Sequence, residues 1–170
     1  MMHAHEALFK PGRTWYFTLN LADETSSILT RHAQFLSESA RDVEGLYPFE
    51  TIATVILPNH IHMIWTLPEK DLDYRRRIAY LQSGFTRRVV ETYDDPKKAG
   101  KTALWHRRFW DYQVRDLVDL ERHIGYMHGN PVRHGLVSHP DKWRYSTWHK
   151  FRDDGFVLWT EKPLATAGEG

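Results

Sequence analysis

Two β-rich runs, Phe49 to Leu57 (FETIATVIL) and His60 to Leu67 (HIHMIWTL), meet across the dipeptide Pro58-Asn59, and Pro68 closes the second. No other stretch restricts the fold as tightly. Proline followed by asparagine favours a turn, so the two runs predict a hairpin of antiparallel strands. A helical pattern stands on each side of it. Between Glu24 and Val43, Ile28, Phe35 and the Leu29/Leu36 pair recur at helical spacing, with Gly45 as the stop signal. Between Tyr74 and Tyr93, Ile78, Leu81, Phe85 and Val89 follow one another at spacings of 3, 4 and 4 and define a basic amphipathic helix. Trp15 to Leu21 (WYFTLNL), after the breaker Lys10-Pro11-Gly12, predicts a first strand, and Phe109 to Arg115 a fourth. A final helix, capped by Asp116, runs from Leu117 to about Asn130 and stops before or at Pro131. The order strand, helix, strand, strand, helix, strand, helix predicts an α/β (α+β) ferredoxin-like sandwich with a central antiparallel sheet and a C-terminal helix.

A chain of 170 residues has room for one domain. Residues 1–155 are expected to form it and residues 156–170 a fraying tail, with a mobile loop at Asp94 to Thr102 (DDPKKAGKT). With 41% hydrophobic and 14% aromatic residues the chain builds a packed core, which excludes disordered and low-complexity architectures. The absence of cysteine excludes disulfide frameworks, thiolate metal sites and cysteine nucleophiles, so any metal must be held by nitrogen and oxygen donors. No signal-peptide stretch opens the chain and no window approaches the ~18 apolar residues of a membrane span, so a cytoplasmic protein without membrane contact is expected.

The formal net charge of +1 hides an asymmetry, because Arg75 to Arg115 holds 11 Lys and Arg against 4 Asp and Glu. Such a window fits either a solvated helix with a basic loop or a surface that meets a polyanion.

His60 and His62 lie two apart on a strand, so their imidazoles point to one face while Ile61 and Met63 point to the other. Among 11 histidines such a pair also arises by chance, and it identifies a site only if a second element completes it. The final helix is the candidate. Tyr126 and Asn130 are i and i+4, with His123 at i−3, on a face about a quarter turn from the apolar stripe of Leu117, Leu120, Ile124 and Met127. Taken alone, the tyrosine fits a core edge and the asparagine a helix end. Taken with the histidines, they suit phosphodiester chemistry: a cation held by two imidazoles and a carbonyl-type oxygen polarises the phosphate while a phenol attacks. An unperturbed phenol titrates near 10, so a neighbour must help it lose its proton, and His123, His128 and Arg133 are close in sequence.

The blocks LPNHIHMIWTLPE, LWHRRFWDYQVRD, HIGYMHGNPVRHGLV and DKWRYSTWHK, preceded by PGRTWYFTLNL, together resemble the successive signatures of REP-associated tyrosine transposases, a branch of the single-tyrosine HUH transposases and nucleases. The resemblance spans roughly Lys10 to Phe151. It implies that His60 and His62 are metal ligands with Asn130 as the third, that Tyr126 is the nucleophile, and that the cofactor is Mg²⁺ or Mn²⁺. It implies cleavage of single-stranded DNA at short palindromic hairpins through a 5′-phosphotyrosine, in a nucleoid-associated protein that acts as a monomer rather than a dimer. The chain departs from the family pattern at Gly125, where relatives carry an acidic residue, and at Gly129, where they carry a large one. Each glycine costs about 1 kcal/mol of helix stability relative to alanine.

With such a partner, Arg75, Arg76, Arg87, Arg88, Arg107, Arg108 and Arg115 are candidates to neutralise a DNA backbone, and Trp105, Phe109, Trp110 and Tyr112 to stack on unpaired bases; Trp110 is the aromatic member retained for the DNA-binding set. A three-histidine alternating motif is excluded because Ile64 stands where its third histidine belongs. The remaining alternative is a non-catalytic hairpin-binding module of the same fold.

Overall fold

The computed structural model describes residues 2–93 and 104–159. Four strands, β1 (Thr14–Asn20), β2 (Glu50–Ile56), β3 (His60–Thr66) and β4 (Trp110–Gln113), form one antiparallel sheet in the order β2-β3-β1-β4. The hairpin predicted across Pro58-Asn59 is β2–β3, closed by the Leu57 N–H donating to the His60 carbonyl at 2.9 Å. Two helices supply the crossovers, α3 (Ala33–Leu46) from β1 to β2 and α4 (Tyr74–Thr92) from β3 to β4. Each crossover skips one strand position, which the other unit fills, and this interleaving is the ferredoxin-like arrangement. The short helices α1 (Ala4–Leu8), α2 (Ile28–Arg31) and α6 (Trp148–Asp153) and the long helix α5 (Leu117–Arg133) complete the elements used below.

Both faces of the sheet are covered, and β1 and β3 carry apolar side chains on each of them. On one face Phe17, Leu19, Ile61, Met63 and Trp65 pack with Leu36 and Val43 of α3 and Ile78, Leu81, Phe85 and Val89 of α4. On the other, Tyr16, Val55 and Ile64 pack with Leu120, Ile124 and Met127 of α5. Burying each large apolar side chain stabilises the fold by about 1.5–3 kcal/mol, enough to fix α5 against the histidine-bearing face. A bulge between Thr51 and Ala53 turns Ala53 and Val55 of β2 toward α5.

Several sequence expectations are corrected. The single helix from Glu24 to Val43 is two, broken at His32 (φ −122°, ψ 35°), and residues 23–26 are drawn into a turn in which the Asp23 carboxylate accepts from the Thr25 N–H at 2.9 Å. Gly45 lies inside α3; the helix ends after Leu46 because Pro48 disfavours helical backbone at Tyr47. The last helix does not stop at Pro131 but passes through it to Arg133. Only the Pro131 N–H is lost, and the turn beyond is closed by the His134 N–H on Asn130 O and the Leu136 N–H on Pro131 O, both at 2.9 Å. Leu117 is 40% exposed, so the apolar stripe begins at Leu120. Trp105, expected as a stacking surface, belongs to the core under α4 and donates its indole N–H to the Gln82 carbonyl at 3.2 Å. The first strand is Thr14–Asn20 rather than Trp15 to Leu21, and the fourth is shortened to Trp110–Gln113. The expected loop at 94–102 and the tail from residue 160 lie outside the described residues. Among the described residues no helix is long and apolar enough to cross a membrane.

Candidate functional site

His62 stands on β3, and the register opposes it to Thr18 of β1. Its Nδ1 meets the Tyr16 hydroxyl at 2.7 Å and the Thr18 hydroxyl at 3.0 Å. Its Nε2 faces α5, where the Asn130 side-chain amide donates to it at 2.9 Å. An acceptor at Nε2 places the ring hydrogen on Nδ1, where the two hydroxyls receive it. His60, two residues earlier, sets its Nδ1 2.7 Å from Asn59 Oδ1, which only accepts, so its Nε2 also keeps a lone pair. Both rings thus hold the tautomer that ligates a metal through Nε2, each fixed by a hydrogen bond on its other nitrogen.

Burial keeps them neutral. His62 is 5% exposed, and desolvation, with lesser repulsion from His60, His134 and Arg133, holds its pKa well below the usual imidazole value. Desolvation, reinforced by the charge of His134, lowers His60 to about 4. The imidazoles approach each other edge to face, with ring centroids 5.0 Å apart.

α5 brings the other half. Asn130 is 2% exposed, and Tyr126, one turn earlier, keeps its ring half-buried with its centroid 6.4 Å from that of His62. The Arg133 guanidinium lies 4.0 Å above the Tyr126 ring, and its Nη2 donates to the Tyr126 carbonyl. Of the three neighbours expected to assist the phenol, Arg133 alone lies against it. His123 points its Nδ1 to the Asp119 carbonyl at 2.7 Å and stacks on Tyr112. His128 turns to the Thr147 hydroxyl at 2.9 Å. Tyr16 and Thr18, which hold His62, were not foreseen; they occupy alternate positions of WYFTLNL, but strand register is invisible in a single sequence.

Gly125 and Gly129 have a packing reason. A Cβ at Gly125 would stand 2.8 Å from the Leu158 carbonyl oxygen, and one at Gly129 2.2 Å from Trp159 Cδ1. Leu158 and Trp159 therefore lie against α5, and at Gly125, where the neighbour is a backbone carbonyl, only glycine admits the approach.

The basic residues divide into two groups. Arg75 pairs with Asp111 at 3.3 Å, Arg76 with Asp71 at 3.2 Å, Arg88 with Asp42 at 2.7 Å and Glu38 at 3.2 Å, and Arg115 with Asp119 at 3.4 Å. Arg87, Arg107 and Arg108 are exposed and carry no ion pair among the described residues. Phe109, Trp110 and Tyr112 are half-buried, with Trp110 and Tyr112 stacked at 5.7 Å. Arg77, absent from the expected set, is fully buried and donates to the carbonyls of Tyr47, Pro48 and Asp73 and to Asp71.

Comparison with known proteins shows which family the chain belongs to. No family model matches the chain. It is 39% identical over 146 residues to a protein named as a REP-associated tyrosine transposase in Haemophilus influenzae, covering 84% of this chain and 83% of that one. It is 36% identical over 149 residues to the REP-associated tyrosine transposase of Escherichia coli K12, covering 88% and 84%. A solved structure of a REP-associated tyrosine transposase bound to a REP hairpin superposes with a TM-score of 0.80 at 34% identity, over 95% of this chain and 94% of that one. With this identity over most of both lengths, and this fold, the chain belongs to the REP-associated tyrosine transposase family.

Proposed function

We propose that the chain is a metal-dependent single-stranded DNA endonuclease and strand transferase that acts at REP-type hairpins with Tyr126 as its nucleophile. One observation carries this reading: Asn130 and His62, 68 residues apart, meet at 2.9 Å, with Tyr126 one turn away on the same helix as Asn130. His60 and His62 through Nε2, and Asn130 through its amide carbonyl once the amide turns and releases the His62 Nε2 it now meets through its N–H, are the residues that would hold Mg²⁺ or Mn²⁺. Their neutral rings, oriented by Asn59, Tyr16 and Thr18, suit that donor set. A cation held there supplies Lewis-acid polarisation of the scissile phosphate.

Tyr126 attacks phosphorus while its phenolic proton passes to solvent, which in turn protonates the departing 3′ oxygen. The bond from phosphorus to the 3′ oxygen breaks, leaving a free 3′-hydroxyl and a 5′-phosphotyrosine on the protein. One phosphoester replaces another, so the 3′-hydroxyl can reverse the step without ATP. Arg133 lies where positive charge favours a phosphate beside the phenol. Arg87, Arg107 and Arg108 contact the DNA backbone, Arg75, Arg76, Arg88 and Arg115 do so by exchanging their carboxylate partners for phosphate, and Trp110 offers a stacking edge. We read the chain as a monomer acting in the cytoplasm beside the nucleoid, organised as a domain of residues 1–155 with a tail of 156–170 in which Leu158 and Trp159 lie against α5.

The test is incubation of a labelled hairpin oligonucleotide with the protein and Mn²⁺, followed by denaturing electrophoresis. A covalent adduct is expected, and Tyr126→Phe abolishes it. An adduct that persists in Tyr126→Phe overturns the nucleophile assignment; hairpin binding without any adduct favours the non-catalytic binding module.

A further inference from the structure

α1 carries a second set of metal-type donors to α5, away from His60, His62 and Asn130. His5 is 4% exposed, its ring packed on Phe151 and Phe156 with centroids 5.4 and 4.6 Å away. Its Nε2 is buried without a hydrogen-bond partner, and the nearest carboxylate oxygen, Glu121 Oε1, stands at 3.6 Å, beyond hydrogen-bond reach. Glu6, the next residue on α1, completes a cluster in which the donor atoms of His5, Glu6 and Glu121 all lie within 4.8 Å of one another. One oxygen of Glu6 is anchored by the His3 N–H at 3.1 Å. A buried imidazole nitrogen held at 3.6 Å from one carboxylate, within ion-pair range but outside hydrogen-bond range, is a costly arrangement in a folded chain unless something satisfies it.

A cation is one such partner, since a neutral imidazole offers it a lone pair. We propose that His5 Nε2 and the carboxylates of Glu6 and Glu121 form a divalent-cation site of the Zn²⁺ type that clamps the N-terminal helix to the helix carrying Tyr126. One imidazole and two carboxylates are a nitrogen–oxygen donor set that Zn²⁺ accepts, with a fourth position left for water. Tetrahedral Zn²⁺ with bonds of ~2.1 Å separates its donors by about 3.4 Å. The two half-exposed glutamates close that difference by turning their side chains. The site shares no residue with the proposed catalytic centre.

Equilibrium dialysis of the full-length, metal-stripped protein against Zn²⁺ at neutral pH, paired with thermal melting, tests it. The unaltered chain is expected to bind two equivalents. Glu121→Gln, an isosteric change at a half-exposed position, is expected to weaken one of them by at least about 100-fold and to remove its share of the Zn²⁺-induced rise in melting temperature. His60→Ala/His62→Ala is expected to keep one equivalent and that share of the rise. The proposal is overturned if Glu121→Gln matches the unaltered chain in stoichiometry and affinity, or if His60→Ala/His62→Ala binds none. Loss of all Zn²⁺ binding in Glu121→Gln would instead leave this site standing and remove His60 and His62 as ligands.

Discussion

His62 depends on what holds its second nitrogen. The Tyr16 and Thr18 hydroxyls at 2.7 and 3.0 Å fix both ring orientation and tautomer, and without them the imidazole can turn its Nε2 away from Asn130. Tyr16→Phe/Thr18→Val should therefore weaken Mn²⁺ binding at this centre about 10- to 100-fold by calorimetric titration, with far-ultraviolet circular dichroism unchanged; equal affinity would show that the hydroxyls do not orient the ligand. The His-x-His pair and the i,i+4 spacing of Tyr126 and Asn130 were legible because they depend only on strand and helix periods. Tyr16 and Thr18 were not, because their role depends on which strand lies beside β3 and in which register. Arg77 was hidden for a related reason: the carbonyls of Tyr47, Pro48 and Asp73 converge on its buried guanidinium and make its charge structural, and those carbonyls leave no trace in composition. Arg77→Ala removes the donor to these carbonyls, while Asp71 keeps Arg76, and should cost about 1–3 kcal/mol in chemical denaturation.

α5 combines a core face, the edge proposed for catalysis and two glycines that another segment approaches. Leu120, Ile124 and Met127 anchor it to the sheet, Tyr126 and Asn130 project beside that stripe, and Gly125 and Gly129 receive residues 156–159. From the sequence the two glycines suggest only a looser helix; in the fold they are where another segment approaches closely. Gly125→Ala should detach Leu158 and Trp159 from α5, because its Cβ would stand 2.8 Å from a backbone carbonyl that has no rotamer to yield. Hydrogen exchange would report faster exchange at residues 156–159 with α5 protection intact, and unchanged exchange there would contradict the packing account. Helix ends were the least legible features. His32 splits one periodic stretch into two helices, and Pro131 fails to end α5 because the carbonyls around it find partners in the next turn. Charge was legible as a window but not as a surface: Arg88 is tied between Glu38 and Asp42, whereas Arg107 and Arg108 stand exposed. Arg107→Ala/Arg108→Ala should weaken hairpin binding and make its dependence on salt shallower, and an unchanged salt slope would remove both from the interface.

The ferredoxin-like sheet was readable from element order because few topologies accommodate two crossovers around one hairpin. Stability of the assembled molecule should carry the mark of its buried histidines. Burial lowers His128 from 6.5 to about 3, so below pH 6.5 the unfolded chain takes up a proton that the folded chain refuses. Stability is then full above pH 6.5 and falls by about 1.4 kcal/mol per pH unit on this group's account down to about pH 3. Denaturation midpoints followed across that range should show a shallower decline in His128→Gln than in the unaltered chain. The central claim is chemical: the phenol on α5 and the imidazoles on β3 serve one phosphodiester. Peptide mass spectrometry of the protein–DNA adduct formed with Mn²⁺ tests it most directly. The account predicts a nucleotide joined through its 5′-phosphate to Tyr126, within the peptide from His123 to Arg133; attachment at any other tyrosine would contradict it.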